Sequence, residues 1–142
     1  MKPTPEILLV DDNPADACLV CEALATSHRG SHVHEVEDGE EAMEFLRRLG
    51  RHSDAVRPDL VVLDLNLPRK DGRQVLAEVK SDPDLHKLPI VIFSTSRSGI
   101  DIVRSYELGA NCYVTKPGNL EDFFAAVRSI EEFWFDRASL PD

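Results

Sequence analysis

Leu8–Asp16 reads LLVDDNPAD and Val61–Gly72 reads VVLDLNLPRKDG. In each, a short run rich in Leu and Val stops abruptly at acidic residues, with Asn and Pro close behind. An apolar run of four or five residues bounded by such turn formers is the pattern of a strand buried on both faces. Working outward, the pattern recurs. Glu6–Val10 (EILLV), Leu60–Leu63 (LVVL) and Pro89–Phe93 (PIVIF) read as strands, Asn111–Thr115 as another, and His32–Val36 as a weaker, alternating one.

Amphipathic stretches fill the gaps. Asn13-Pro14 opens a helix that runs to about Ser27. A second follows Asp38-Gly39, with Ala42, Phe45, Leu46 and Leu49 on one face and a stop at Gly50. Arg73–Asp82 spaces Val75, Leu76 and Val79 three to four apart and ends before Pro83. Gly99–Leu108 closes at Gly109, and Leu120–Phe135 is the last helix. Periodicity, glycine stops and proline positions carry these assignments. Regular alternation of strand and helix predicts an α/β fold, with a parallel sheet, helices on both faces and right-handed crossovers. One domain over 1–142 is expected, with no separate output domain; Arg51–Pro58 is the longest polar loop.

Composition narrows the function. Of 142 residues, 42% are hydrophobic and 30% charged, as in ordinary globular domains. The formal net charge of −10 argues against direct nucleic-acid binding, which needs a basic face. No apolar run has the length of a membrane span, and no signal-peptide pattern precedes the first strand; a cytoplasmic protein is expected. Three cysteines without a framework spacing fit a reducing compartment.

Asp11 and Asp12 directly follow the first strand, and Asp64 directly follows the third. Open parallel sheets bind ligands beyond the carboxyl ends of their strands. If those two strands are neighbours, three carboxylates converge and repel one another. A hard divalent cation relieves that; Mg²⁺ accepts a few carboxylates, a carbonyl, waters and a phosphate oxygen. A single Asp at a strand end is usually a cap. Three, on two strands, point to chemistry. Ser94 and Lys116 follow the fourth and fifth strands at matching positions, bringing a hydroxyl and an ammonium suited to phosphoryl oxygens.

With IVIFSTS at Ile90–Ser96 and GANCYVTKP at Gly109–Pro117, four motifs stand in order at the proper spacing. The chain thereby resembles the receiver domains of two-component response regulators over nearly its whole length. The resemblance implies a flavodoxin-like, doubly wound five-stranded sheet of order 2-1-3-4-5. It implies that Asp64 accepts a phosphoryl group from a sensor histidine kinase. It further implies that Asp11, Asp12, Asp64 and the backbone carbonyl of Asn66 hold Mg²⁺, that Ser94 is the switch hydroxyl, and that Lys116 pairs with Asp64 or its phosphate. Tyr113 resembles the aromatic that changes rotamer on activation. Lys116–Pro117 resembles a cis peptide of the family, with a slow folding phase. Three positions depart: Ser94 for a common Thr, Thr95 for a small residue, and Leu67 for a common Met. The bulk of Thr95 is expected to slow the access of phosphodonor and water.

NLPRKDGR, the STS turn, SYELGANCYVTKP and the aromatic last helix resemble the small response regulators paired with cyanobacterial and bacterial phytochromes, so the kinase is expected to be a phytochrome. A Mg²⁺-dependent phosphatase with an Asp nucleophile is the enzyme alternative. That class expects Asp-x-Asp after the first strand, where this chain has Asp-Asp. A degenerate, unphosphorylated receiver is the other alternative, and all five expected site side chains are present. Cys18-Leu19-Val20-Cys21 lies within the first helix with no partner pair at metal spacing, and reads as structural. His28, His32, His34, His52 and His86 are scattered, with surface positions expected. Phe133-Trp134-Phe135 is different. Consecutive helical residues point in different directions, so one core face cannot hide all three. A homodimer through the fourth helix, fifth strand and last helix is expected, with these rings at its centre.

Overall fold

The computed structural model describes residues 4–27 and 30–141; His28 lies outside them. Strands β1 (Glu6–Val10), β2 (His32–Val36), β3 (Leu60–Leu63), β4 (Ile90–Ser94) and β5 (Cys112–Thr115) alternate with helices. These are α1 (Pro14–Ala25), α2 (Gly39–Arg47), α3 (Gly72–Ser81), α4 (Gly99–Glu107) and α5 (Leu120–Glu132). All strand pairs are parallel and the order is β2-β1-β3-β4-β5. This is the flavodoxin-like receiver arrangement that the four motifs imply.

Strand alternation divides the core between the two faces of the sheet. Leu8, Val10, Val61, Leu63, Ile90 and Ile92 point toward α2 and α3. Ile7, Leu9, Leu60, Val62, Val91 and Phe93 point toward α1 and α5. The central strands are therefore apolar throughout because both of their faces are covered. α4 is the exception: Ser105 is its buried residue, while Ile100, Val103 and Tyr106 are exposed.

Capping fixes where helices begin. Asn13 accepts from the Ala15 and Asp16 amides at the start of α1. Asp38 caps α2, and Asp71 forms a reciprocal capping box with Gln74 on α3. α2 is shorter than expected. Arg48 takes the left-handed conformation at its C-cap (φ 55°), and Leu49 departs from the packed face and is 53% exposed. A short 3-10 turn, Gly50–His52, follows it and overlaps the start of the Arg51–Pro58 stretch read as loop. No peptide bond among the described residues is cis, so Lys116–Pro117 is trans, unlike the cis peptide the resemblance implies.

The last helix also differs from expectation. α5 stops at Glu132 and a π-type turn, Phe133–Arg137, widens the winding. That extra width redistributes the three rings. Trp134 and Phe135 pack partly against the α1/α5 side of the core and line a cavity of about 580 Å³ with Pro58, Pro83 and Pro89. Phe133 stays 54% exposed.

Candidate functional site

Register places the acidic residues. Val10 pairs with Leu63, so the next residue of each strand, Asp11 and Asp64, emerges side by side. The Asp64 amide donates to the Val10 carbonyl at 3.0 Å, extending the ladder by one bond. Asp11, Asp12 and Asp64 each present a carboxylate oxygen within 4.8 Å of the others. Asp11 is buried, Asp64 half-buried and Asp12 exposed. The three thus run from the base of the site to solvent.

The loop after β3 is held tightly. Asp64 Oδ1 accepts from the Leu65 amide at 2.7 Å, and the Gly72 amide donates to the Leu65 carbonyl at 2.8 Å. A Cβ on Gly72 would lie 2.1 Å from the Asp64 carbonyl oxygen. Only glycine lets the start of α3 approach the candidate phosphoacceptor so closely. Asn66 is exposed in that loop, two residues beyond Asp64.

Lys116 reaches in from the opposite side. Ser94 pairs with Thr115, and the Lys116 amide donates to the Ser94 carbonyl at 2.7 Å, which sets the lysine beyond the end of β5. Its Nζ donates to Asp11 Oδ2 at 2.8 Å, Asp16 Oδ2 at 2.9 Å and Asp64 Oδ2 at 3.0 Å. The side chains of Lys116 and Asp11 are each 2% exposed. Burial pulls the ammonium toward neutrality, yet its bonds to Asp11 and Asp16 and the charge of Asp64 outweigh it, and its pKa is raised. For Asp11 the balance falls the other way. Burial dominates over the Lys116 bond and the Asn13 amide, Asp64 adds like-charge repulsion, and the carboxyl is pushed up. Both shifts express one fact: a buried ion pair that lacks part of the charge it needs.

Three carboxylates around one ammonium, with Asp12 beside two of them, leave a net negative pocket lined with hard oxygen donors. Such a set fits a hard divalent cation of the Mg²⁺ or Mn²⁺ kind, because charge and ligand type both match.

Ser94 ends β4, is fully buried, and accepts from the Ser96 amide at 3.2 Å. Tyr113 packs its ring against the core and donates its hydroxyl to the Ser96 carbonyl at 2.9 Å. The Ser96 hydroxyl in turn donates to Asp101 at 2.6 Å, and Arg73 donates to the other Asp101 oxygen at 2.7 Å. The loop after β4 is therefore tied to β5, α4 and α3 at once.

A model of the response regulator receiver domain matches residues 7–128. The chain belongs to the response regulator receiver family. The receiver is 48% identical over 139 residues to response regulator Rcp1 of Synechocystis sp., covering 98% of this chain and 95% of that one. It is 37% identical to the probable methanogenesis regulatory protein FilR2 of Methanothrix harundinacea, covering 90% of this chain and 82% of that one. Among solved structures, the phosphorylated cyanobacterial phytochrome response regulator RcpA is 53% identical, with a TM-score of 0.94 over 98% of this chain and 99% of that one. The Mn²⁺-bound form of Rcp1 gives a TM-score of 0.92 at 48% identity over 97% of this chain and 99% of that one. The receiver is thus a phosphorylatable switch and not a conventional enzyme, and its Asp11, Asp12 and Asp64 carboxylates could hold a metal ion. No helix among the described residues is long and apolar enough to cross a membrane.

The sequence reading missed Asp16 and the Ser96–Asp101–Arg73 chain. Asp16 falls in the first turn of α1, where an acidic residue reads as a helix-dipole partner. The spacing of Asp11 and Asp16 across the Asn13-Pro14 helix start was the available signal. Cys21 fits the structural reading of its motif: burial, with the Glu35 carboxylate beside it, pushes its thiol up to about 12, too high for a reactive thiolate.

Proposed function

We propose that the receiver takes a phosphoryl group onto Asp64 from a phosphohistidine of a sensor kinase of the phytochrome class, with Mg²⁺ held by Asp11, Asp12, Asp64 and the Asn66 carbonyl. The observation that carries this reading is the Asp11–Asp12–Asp64 cluster, with Lys116 bridging Asp11 and Asp64. Likeness to RcpA and Rcp1 over nearly the whole chain supports the choice of kinase class.

In the transfer, an Asp64 carboxylate oxygen forms the new P–O bond as the P–N bond of phosphohistidine breaks. The electron pair stays on the imidazole nitrogen, which takes up a proton from solvent. A bound divalent cation supplies charge neutralisation for the carboxylate and the phosphoryl oxygens. Lys116 holds Asp64 in place from behind. Ser94 then turns its hydroxyl toward the phosphoryl group, and the Ser96 backbone, which contacts both Ser94 and Tyr113, carries the change to α4 and β5. Exposed Ile100, Val103 and Tyr106 on α4 and Phe133 beyond α5 give that change a surface on which to act, and a homodimer is the assembly they favour. Protein contact is the output that this surface supports.

Intact-mass measurement after treatment with acetyl phosphate and Mg²⁺ tests the reading. One added phosphoryl group is expected on the wild type and none on Asp64→Asn. Equal labelling of both proteins sinks the assignment.

A further inference from the structure

Asp16 lies outside the carboxylate triad, yet it takes one of the three Lys116 bonds. We propose that Asp16 is a positioning residue for divalent-cation binding, acting through Lys116. The inference rests on the reading of Asp11, Asp12 and Asp64 as the cation site.

Asp11 and Asp64 are claimed twice. Lys116 Nζ holds them at 2.8 and 3.0 Å, and a cation in the triad needs the same two carboxylates. Lysine and cation therefore compete for shared ligands. Asp16 enters that competition from the lysine's side, 2.9 Å from Nζ. Its anchorage is firm: the Asp16 amide donates to the Asn13 cap at 3.1 Å, and α1 begins at Pro14, whose ring pre-sets the first turn. Coulomb attraction falls with distance, so a fixed third carboxylate draws the ammonium toward α1 and weakens its hold on the other two. Without the Asp16 charge, Lys116 leans fully on Asp11 and Asp64, and the cation meets a stronger rival.

A plain structural role for Asp16, tying α1 to the end of β5, makes a different forecast. It affects thermal stability and leaves metal affinity alone. A third possibility is direct attraction of the cation by the Asp16 charge through space, which needs no lysine. A double-mutant cycle separates all three.

The experiment is calorimetric titration of Mg²⁺ and Mn²⁺ into the wild type, Asp16→Asn, Lys116→Met and the double variant, with thermal unfolding of each recorded in parallel. Asp16→Asn is expected to weaken binding about fivefold in the wild-type background and less than about twofold in the Lys116→Met background. Should Lys116→Met fail to fold, Lys116→Gln takes its place in the cycle. Unchanged affinity in Asp16→Asn overturns the proposal, and equal weakening in both backgrounds overturns it in favour of a direct field. A wild type that binds neither ion removes the triad reading itself and the proposal with it. That outcome is distinguishable because it shows in the first titration.

Discussion

Removing the lysine should expose how much of this site's stability depends on one ammonium. Lys116→Met keeps much of the side-chain length and removes the charge. Asp11, 2% exposed, then loses its counterion and keeps the Asn13 amide at 2.9 Å. Breaking a buried pair by deleting one partner costs about 3–5 kcal/mol. Asp64 and Asp16 are 12% and 22% exposed and retain some solvation, so the lower end, about 3 kcal/mol, is expected near neutral pH. For a domain of this size that is a fall in Tm of about 6–12 °C. The pH dependence has a definite sign. The Asp11 pKa is already raised by burial and should rise further without Lys116. A raised carboxyl stabilises the fold below its unfolded value, about 3.9, and loses that contribution as pH rises through the folded value. The deficit of the variant should therefore be full at neutral pH and shrink toward about pH 4. Excess Mg²⁺ should return about 2.7 kcal/mol at a hundredfold the variant's dissociation constant, and at one fixed Mg²⁺ concentration should stabilise the variant more than the wild type, because no lysine competes for its carboxylates. Urea unfolding followed by circular dichroism, at both pH values with and without Mg²⁺, reads all of this. A loss below about 1 kcal/mol at neutral pH, or a loss unchanged by acid, would refute the account of a buried, under-compensated cluster.

Two further outcomes follow from residues outside the site. Phe133→Ala should raise the dissociation constant of a homodimer about tenfold without lowering Tm, whereas Trp134→Ala should lower Tm by filling less of the core, as sedimentation velocity and thermal melts on both variants will show; a wild type that stays monomeric at high micromolar concentration ends the dimer proposal. Burial opposes ionisation of Glu6, but hydrogen bonds from His34 and His32 outweigh it and hold its carboxyl below the usual range, so its contribution is present above about pH 4.3 and is lost as pH falls through the folded value. Because the pair is screened by solvent, Glu6→Gln should cost no more than about 1 kcal/mol at pH 6 and nothing well below pH 4; an equal cost at both, by urea titration, would show that ionisation is not involved.

The parts of this molecule legible in sequence are those fixed by period and by strand ends. LVVL and PIVIF announce strands covered on both faces, and Asp11 and Asp64 are brought together by the Val10–Leu63 register that follows from adjacent parallel strands. What was not legible depends on where side chains reach. Asp16 looks like any first-turn acid until Lys116, a hundred residues later, is seen to bond to it. Leu49 has the right spacing for the α2 face, and a single left-handed residue before it, Arg48, removes it. Phe133, Trp134 and Phe135 look equivalent in sequence. The π-type turn makes them unequal, with two rings against the core and one in solvent.

The three bonds of Lys116 have a consequence for the direction of the switch. An ammonium has three N–H groups, and here all three are committed to carboxylate oxygens. Phosphorylation of Asp64 would bring three new acceptor oxygens into the cleft and no donor with them. Beside whatever charge a bound cation neutralises, none of the three lysine N–H groups is free to meet those oxygens. Lysine can serve the phosphoryl group only by releasing a carboxylate, whereas the Ser94 oxygen accepts from the Ser96 amide and keeps its own O–H as a donor. The exchange of a carboxylate for a phosphoryl oxygen at the ammonium is thus the rearrangement that the resting bonds require. In this receiver, the bonds already made at rest limit how the lysine can answer a new anion.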